Sequence, residues 1–98
     1  MTGPKLLEID PTHRILAGER AGQSVRDALG LDAVDRDGGT AVVRIDTGAV
    51  TSSFIRGLVG DSVRKLGLDA FEAKYRFDTT PSIRETIHAS ARRVLDAP

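Results

Sequence analysis

The chain has no cysteine and no tryptophan, and only one tyrosine and three phenylalanines. Without cysteine, disulfides, thiolate-ligated zinc and thiol chemistry are all excluded. With so few rings, aliphatic side chains must fill the interior. An excess of either charge is also missing, since 14 Lys and Arg balance 14 Asp and Glu, with His neutral. Nucleic acid is therefore not expected as the main partner, because phosphate binding normally leaves a basic excess. The same balance removes one barrier to self-association and so favours a homodimer slightly. No apolar run approaches the roughly 20 residues needed to cross a bilayer, and no membrane partner is expected. The first residues, Met1-Thr2-Gly3-Pro4-Lys5, lack the apolar stretch of a signal peptide. The cytoplasm is the expected location.

What is present suits one small domain. Ninety-eight residues do not divide into two cores, so residues 1–98 read as a single unit with its core over about 5–95. The apolar share of 40% is ordinary for a globular chain. Lys5 to Ile9 reads as a first strand, closed by Asp10-Pro11. Ala21, Val25, Ala28 and Leu29 have helical spacing, and Gly30 stops that helix. Asp32 to Gly39 reads as a polar connection, with Asp37-Gly38-Gly39 as a turn.

Thr40 to Asp46 is the strongest strand, and its near-continuous apolar run suits a strand covered on both faces. Arg44 is the exception, reaching an edge or a partner. Phe54, Ile55, Leu58, Val59, Val63 and Leu66 then form one helical stripe, ended by Gly67. Ser52 or Ser53 is its expected N-cap. Phe71, Ala73, Tyr75 and Phe77 alternate with Glu72, Lys74 and Arg76, as in a half-exposed strand. Pro81 opens a last helix, capped by Thr80 or by a Ser82-x-x-Glu85 box, with Ile83, Ile87, Ala91, Val94 and Leu95 inward. The order β-α-β-α-β-α predicts an α/β fold with a small, mainly parallel sheet and right-handed crossovers.

Catalytic machinery is not evident in this inventory. His13 and His88 lie in different elements, without metal-ligand spacing, and no cofactor is implied. There is no Gly-x-Ser-x-Gly elbow. Gly18 to Ser24 superficially matches a phosphate loop, but it is too short and lacks the lysine. It reads as a loop entering a helix. Asp35-Arg36-Asp37-Gly38-Gly39 lacks the later ligands of a calcium loop and reads as a solvated turn. Arg84, Arg92 and Arg93 read as a charged outer face. Asp46 ends the central strand, where open α/β sheets place functional residues. A receiver-type phosphoacceptor would also need a second acid beside Asp10 and a suitable lysine.

The remaining feature is the run Arg44-Ile45-Asp46-Thr47-Gly48-Ala49-Val50-Thr51-Ser52-Ser53-Phe54, leading into the amphipathic helix. A strand ending in Asp, a short turn, Ser-Ser and a helix together resemble the STAS fold, which includes the bacterial anti-sigma factor antagonists. The chain is closer still to the STAS-like domain family of unknown function. That similarity covers roughly residues 12–95. It is carried by the Arg- and Gly-containing stretch Arg14 to Arg26, the strand Val43 to Asp46, the turn Ser52 to Phe54, and Leu66-Gly67. The anti-sigma antagonists have Asp-Ser-Ser-Gly at the turn, where this chain has Thr51-Ser52-Ser53-Phe54, and they begin with an additional strand.

The resemblance implies a non-enzymatic regulatory module that binds a protein partner, a histidine-kinase-type ATPase or anti-sigma-like kinase. Ser52 or Ser53 would accept the phosphate, and Asp46, Thr51, Ser52, Ser53 and Arg56 would meet the partner. A phosphate there would sit at a helix N-terminus, where free amides and the helix dipole favour negative charge. The alternative is a small-ligand or nucleotide-binding domain using the helix N-termini near Gly18 to Ser24 and Ser52-Ser53.

Overall fold

The computed structural model describes residues 4–9 and 15–96. His13, Asp10 and the Pro11 stop lie outside them. In chain order the elements are β1 (Lys5–Glu8), β2 (Ile15–Leu16), α1 (Glu19–Leu29), α2 (Leu31–Arg36), β3 (Ala41–Arg44), β4 (Ala49–Val50), α3 (Ser52–Leu66), α4 (Leu68–Lys74), β5 (Tyr75–Asp78) and α5 (Pro81–Asp96). The main sheet has the order β1-β3-β5 and is parallel throughout. A second, two-residue parallel pair joins β2 to β4. The α/β class and the parallel sheet expected from the sequence are what the molecule has.

The sheet is covered on one face only. Ala41, Val43, Tyr75 and Phe77 point into the core beneath the helices and are buried. Their neighbours on the other face, Leu6, Glu8, Arg44, Arg76 and Asp78, are exposed, and Val42 is half-buried. The expectation of a central strand covered on both faces therefore fails. A run such as Ala-Val-Val is apolar whichever way its middle residue points. Arg44 is no exception within a buried strand; it lies on the open face, 3.7 Å from Asp78 across the ladder.

Helix α3 is the hub of the core. Phe54, Ile55, Leu58, Val59 and Val63 are fully or almost fully buried between α1, α5 and the sheet. Helices α1 and α3 run parallel and touch backbone to backbone. A Cβ on Gly22 would fall 2.1 Å from the Phe54 carbonyl oxygen, and one on Gly57 would fall 2.0 Å from that of Glu19. No side chain fits at either place. Helix α1 ends at Gly30 in the left-handed region, φ 71°, where glycine carries no Cβ penalty.

Three other expectations need correction. Asp32 to Gly39 is not a plain connection, because Leu31–Arg36 forms α2, which buries Leu31 and Val34. The alternating stretch from Phe71 is not one strand. Phe71 lies in α4, and only Tyr75–Asp78 is β5. Phe71 and Tyr75 are four apart, so a helical face satisfies them as well as an alternating one does. The last helix is capped by Thr80, as expected, with its hydroxyl accepting from the Ile83 N–H at 3.2 Å, but the helix's inward face differs from the expected one. It buries Ser90 and leaves Leu95 49% exposed.

Candidate functional site

The turn before α3 is organised by Thr51. Its hydroxyl accepts from the Phe54 N–H at 3.2 Å, which makes Thr51 the N-cap in place of Ser52 or Ser53. The same oxygen accepts from the Gly18 N–H at 3.3 Å, and the Thr51 N–H donates to the Leu16 carbonyl at 2.9 Å. Thr51 thus fastens the start of α3 to β2 and to the start of α1. Both serines are the first residues of the helix itself. Ser53 is half-buried, with its hydroxyl 3.1 Å from that of Thr51. Ser52 is exposed, and among the described residues its hydroxyl has no hydrogen-bond partner.

Thr51 and Ser53 are therefore brought together, with Ser52 alongside. Asp46 lies exposed just beyond β3, and Arg56 is exposed on the first turn and a half of α3. Neither forms an ion pair with the turn among the described residues. Because α1 and α3 are parallel and start side by side, the positive ends of two helix dipoles lie at this end of the molecule. Glu19, in the first turn of α1, is the acidic counterpart there. Of the stretch Gly18 to Ser24, only Gly18 precedes the helix, as its N-cap; Glu19 to Ser24 lie within α1, with Gly22 given over to the contact with α3.

The opposite end of the α1–α3 pair holds a polar group that the sequence analysis missed. Arg26, on α1, has a side chain only 3% exposed, yet it donates to the Leu58 carbonyl at 3.0 Å and the Ser62 hydroxyl at 2.7 Å. It also donates to Asp32 and Asp35, both at 2.7 Å. The Asp35 side chain is 2% exposed. It accepts further from the Ser62 hydroxyl at 2.8 Å and the Tyr75 hydroxyl at 2.5 Å. The supposed solvated turn at Asp35 is thus the centre of a buried network joining α1, α2, α3 and β5. Only Asp37 to Gly39 turns as expected, with Gly39 N–H donating to Asp37 at 2.9 Å.

Electrostatics follow from this arrangement. Burial alone would draw the Arg26 pKa down, but the hydrogen bonds and charges of Asp32 and Asp35 outweigh it and hold the value above normal. Hydrogen bonds from Arg26 and then Lys65 hold the Asp32 carboxyl below its usual range. Burial, reinforced by the bond to Asp35, pushes the Tyr75 phenol well above its ordinary value. Two signals in the sequence pointed here. Arg26 is four residues from Gly22 on the face of α1 that meets α3, and Ser62 is four from Leu58 on the apolar stripe of α3. A polar residue on an apolar stripe calls for a buried partner.

His88 is exposed and lies 3.4 Å from Glu72. No group of three or more His, Cys, Asp or Glu among the described residues is placed to hold a metal. No described helix is long and apolar enough to cross a membrane. No family model, curated protein or solved structure matches the chain.

Proposed function

We propose that this chain is a non-catalytic, cytoplasmic regulatory module of the STAS-like kind, docking a protein partner through Thr51 to Phe54 and the exposed side of α3. One observation carries the reading. The cap of α3 is supplied by Thr51, so the exposed Ser52 hydroxyl is free of structural duty at the first turn. A phosphate on Ser52 would add about −1.5 to −2 charge to that surface, beside first-turn amides and two aligned helix dipoles. It would leave the fold in place and change what the surface can bind. The partner class is a histidine-kinase-type ATPase, acting also as the kinase.

The test is phosphorylation of the purified protein by such ATPases, read by mass spectrometry, with calorimetric titration of the wild type and Ser52→Asp. Phosphate at Ser52 and at least tenfold weaker binding of the variant, about 1.4 kcal/mol, are expected. No phosphate transfer together with unchanged binding would discard the switch. The meeting of two helix N-termini at Gly18 and Thr51 also favours a second reading, a small anionic ligand or nucleotide held there. Thermal-shift screening with nucleotides separates the two, and a flat response removes this one.

A further inference from the structure

The main sheet has two edges, and they are finished differently. At the β5 edge, Arg84 reaches over from α5 and donates to the Phe77 carbonyl at 3.3 Å and the Thr79 carbonyl at 3.4 Å. A long cation on an edge carbonyl blocks strand addition. Among the described residues, the β1 edge has no such guard. Lys5 N–H donates to Thr40 and Ile9 N–H to Arg44, which turns the backbone groups of residues 5, 7 and 9 toward β3. Those of Leu6 and Glu8 then point away from the sheet, and no described strand lies beyond them. Leu6 is 78% exposed. Leu7, on the core side, stays only half-buried. A shallow cavity of about 290 Å³ lies on the open face beside this strand, lined by Leu6, Leu7 and Glu8 of β1, Val42 and Arg44 of β3, and Asp78 of β5.

We propose that β1 is a self-association edge, pairing antiparallel with β1 of a second copy about a two-fold axis normal to the sheet. The faces of the two sheets must match, so only residues of like parity can stand opposite each other. With Leu7 facing Leu7 on the axis, Leu6 of each copy stands opposite Glu8 of the other. All the outward backbone groups of Leu6 and Glu8 are then paired in four hydrogen bonds. The result is a continuous six-stranded sheet.

Charge on the open face selects the same register. Within one copy the row Glu8, Arg44, Asp78 carries one net negative charge, and the row Leu6, Val42, Arg76 carries one net positive charge. The two-fold axis joins the negative row of each copy end to end with the positive row of the other. Both rows of the joined sheet become neutral. The chain as a whole has no net charge to oppose this.

A contact this short makes a weak pair, so the test is run from about 10 μM to about 1 mM, a range that brackets weak association. Sedimentation should show concentration-dependent dimer. Because the chain lacks cysteine, single-cysteine variants report the register directly. Leu7→Cys should cross-link on mild oxidation, since directly opposed residues of a non-hydrogen-bonded pair have Cα atoms about 4.5 Å apart, within disulfide reach. Leu6→Cys should cross-link much less, because it faces Glu8. Leu6→Pro removes one outward donor from each copy without touching the ladder to β3, and should weaken the dimer at least tenfold with an unchanged circular dichroism spectrum. A monomer at every concentration, or Leu6→Cys cross-linking as readily as Leu7→Cys, would overturn the proposal. Should Leu6→Pro fail to fold, the cysteine pair still decides.

Discussion

The two ends of the α1–α3 pair use the same kinds of residue to opposite effect. At the N-terminal end, Ser52 stands in water with its hydroxyl unengaged, and a single threonine does the structural work. At the C-terminal end, Ser62 is fully buried, accepting from Arg26 and donating to Asp35. A serine ten residues further along one helix has thus passed from a free surface group to a fixed part of the interior. What separates them is whether a neighbouring element closes over the helix. Helix α2 and β5 close over Ser62, whereas nothing described closes over Ser52. A change at the Ser52 hydroxyl removes no described hydrogen bond, whereas a change at that of Ser62 removes those to Arg26 and Asp35.

Substitutions can break this contrast in order of size. Asp35→Ala should cost the most, about 3–5 kcal/mol, because it leaves the Arg26 charge buried with only the more exposed Asp32 beside it. Urea unfolding measures it, and a loss below about 1 kcal/mol would mean that water reaches the cluster. Gly57→Ala, between the two ends, should cost about 3 kcal/mol, since its methyl meets backbone that cannot yield as a side chain could. Retention of the wild-type melting temperature would show that α1 and α3 can part slightly. Thr51→Ala should cost about 1 kcal/mol through the lost cap, whereas Ser52→Ala should stay within about 0.5 kcal/mol. Equal losses in the last two would show that Ser52 shares the capping after all.

Much of the architecture was legible because it rests on local pattern. The stripe of α3, its stop at Gly67 and the Gly30 end of α1 are written in spacing and in glycine. The boundary between α4 and β5 was not, because Phe71, Tyr75 and Phe77 satisfy two periodicities at once and only packing against α3 and α5 decides. The N-cap was misplaced by one or two residues, since Thr51, Ser52 and Ser53 all carry a capping hydroxyl. The link from Thr51 to Leu16 and Gly18 settles which one is used, and that link spans more than thirty residues. The Arg26–Asp35 network was legible only in part, since the helical positions of Arg26 and Ser62 mark them as inward-facing but do not name Asp35 as their partner. Asp35 alone suits a surface, and only the folded chain makes them neighbours.

The Arg26 guanidinium has one further property with a practical side. Its Nε is buried and, among the described residues, has no hydrogen-bond partner, although its two terminal nitrogens are fully engaged. Among the described side chains, this nitrogen is the buried polar atom that lacks a protein partner. A desolvated donor left unpaired costs roughly 1–3 kcal/mol, so this stability is open to recovery. An engineer seeking a hardier version of the chain would begin by offering an oxygen to that single nitrogen.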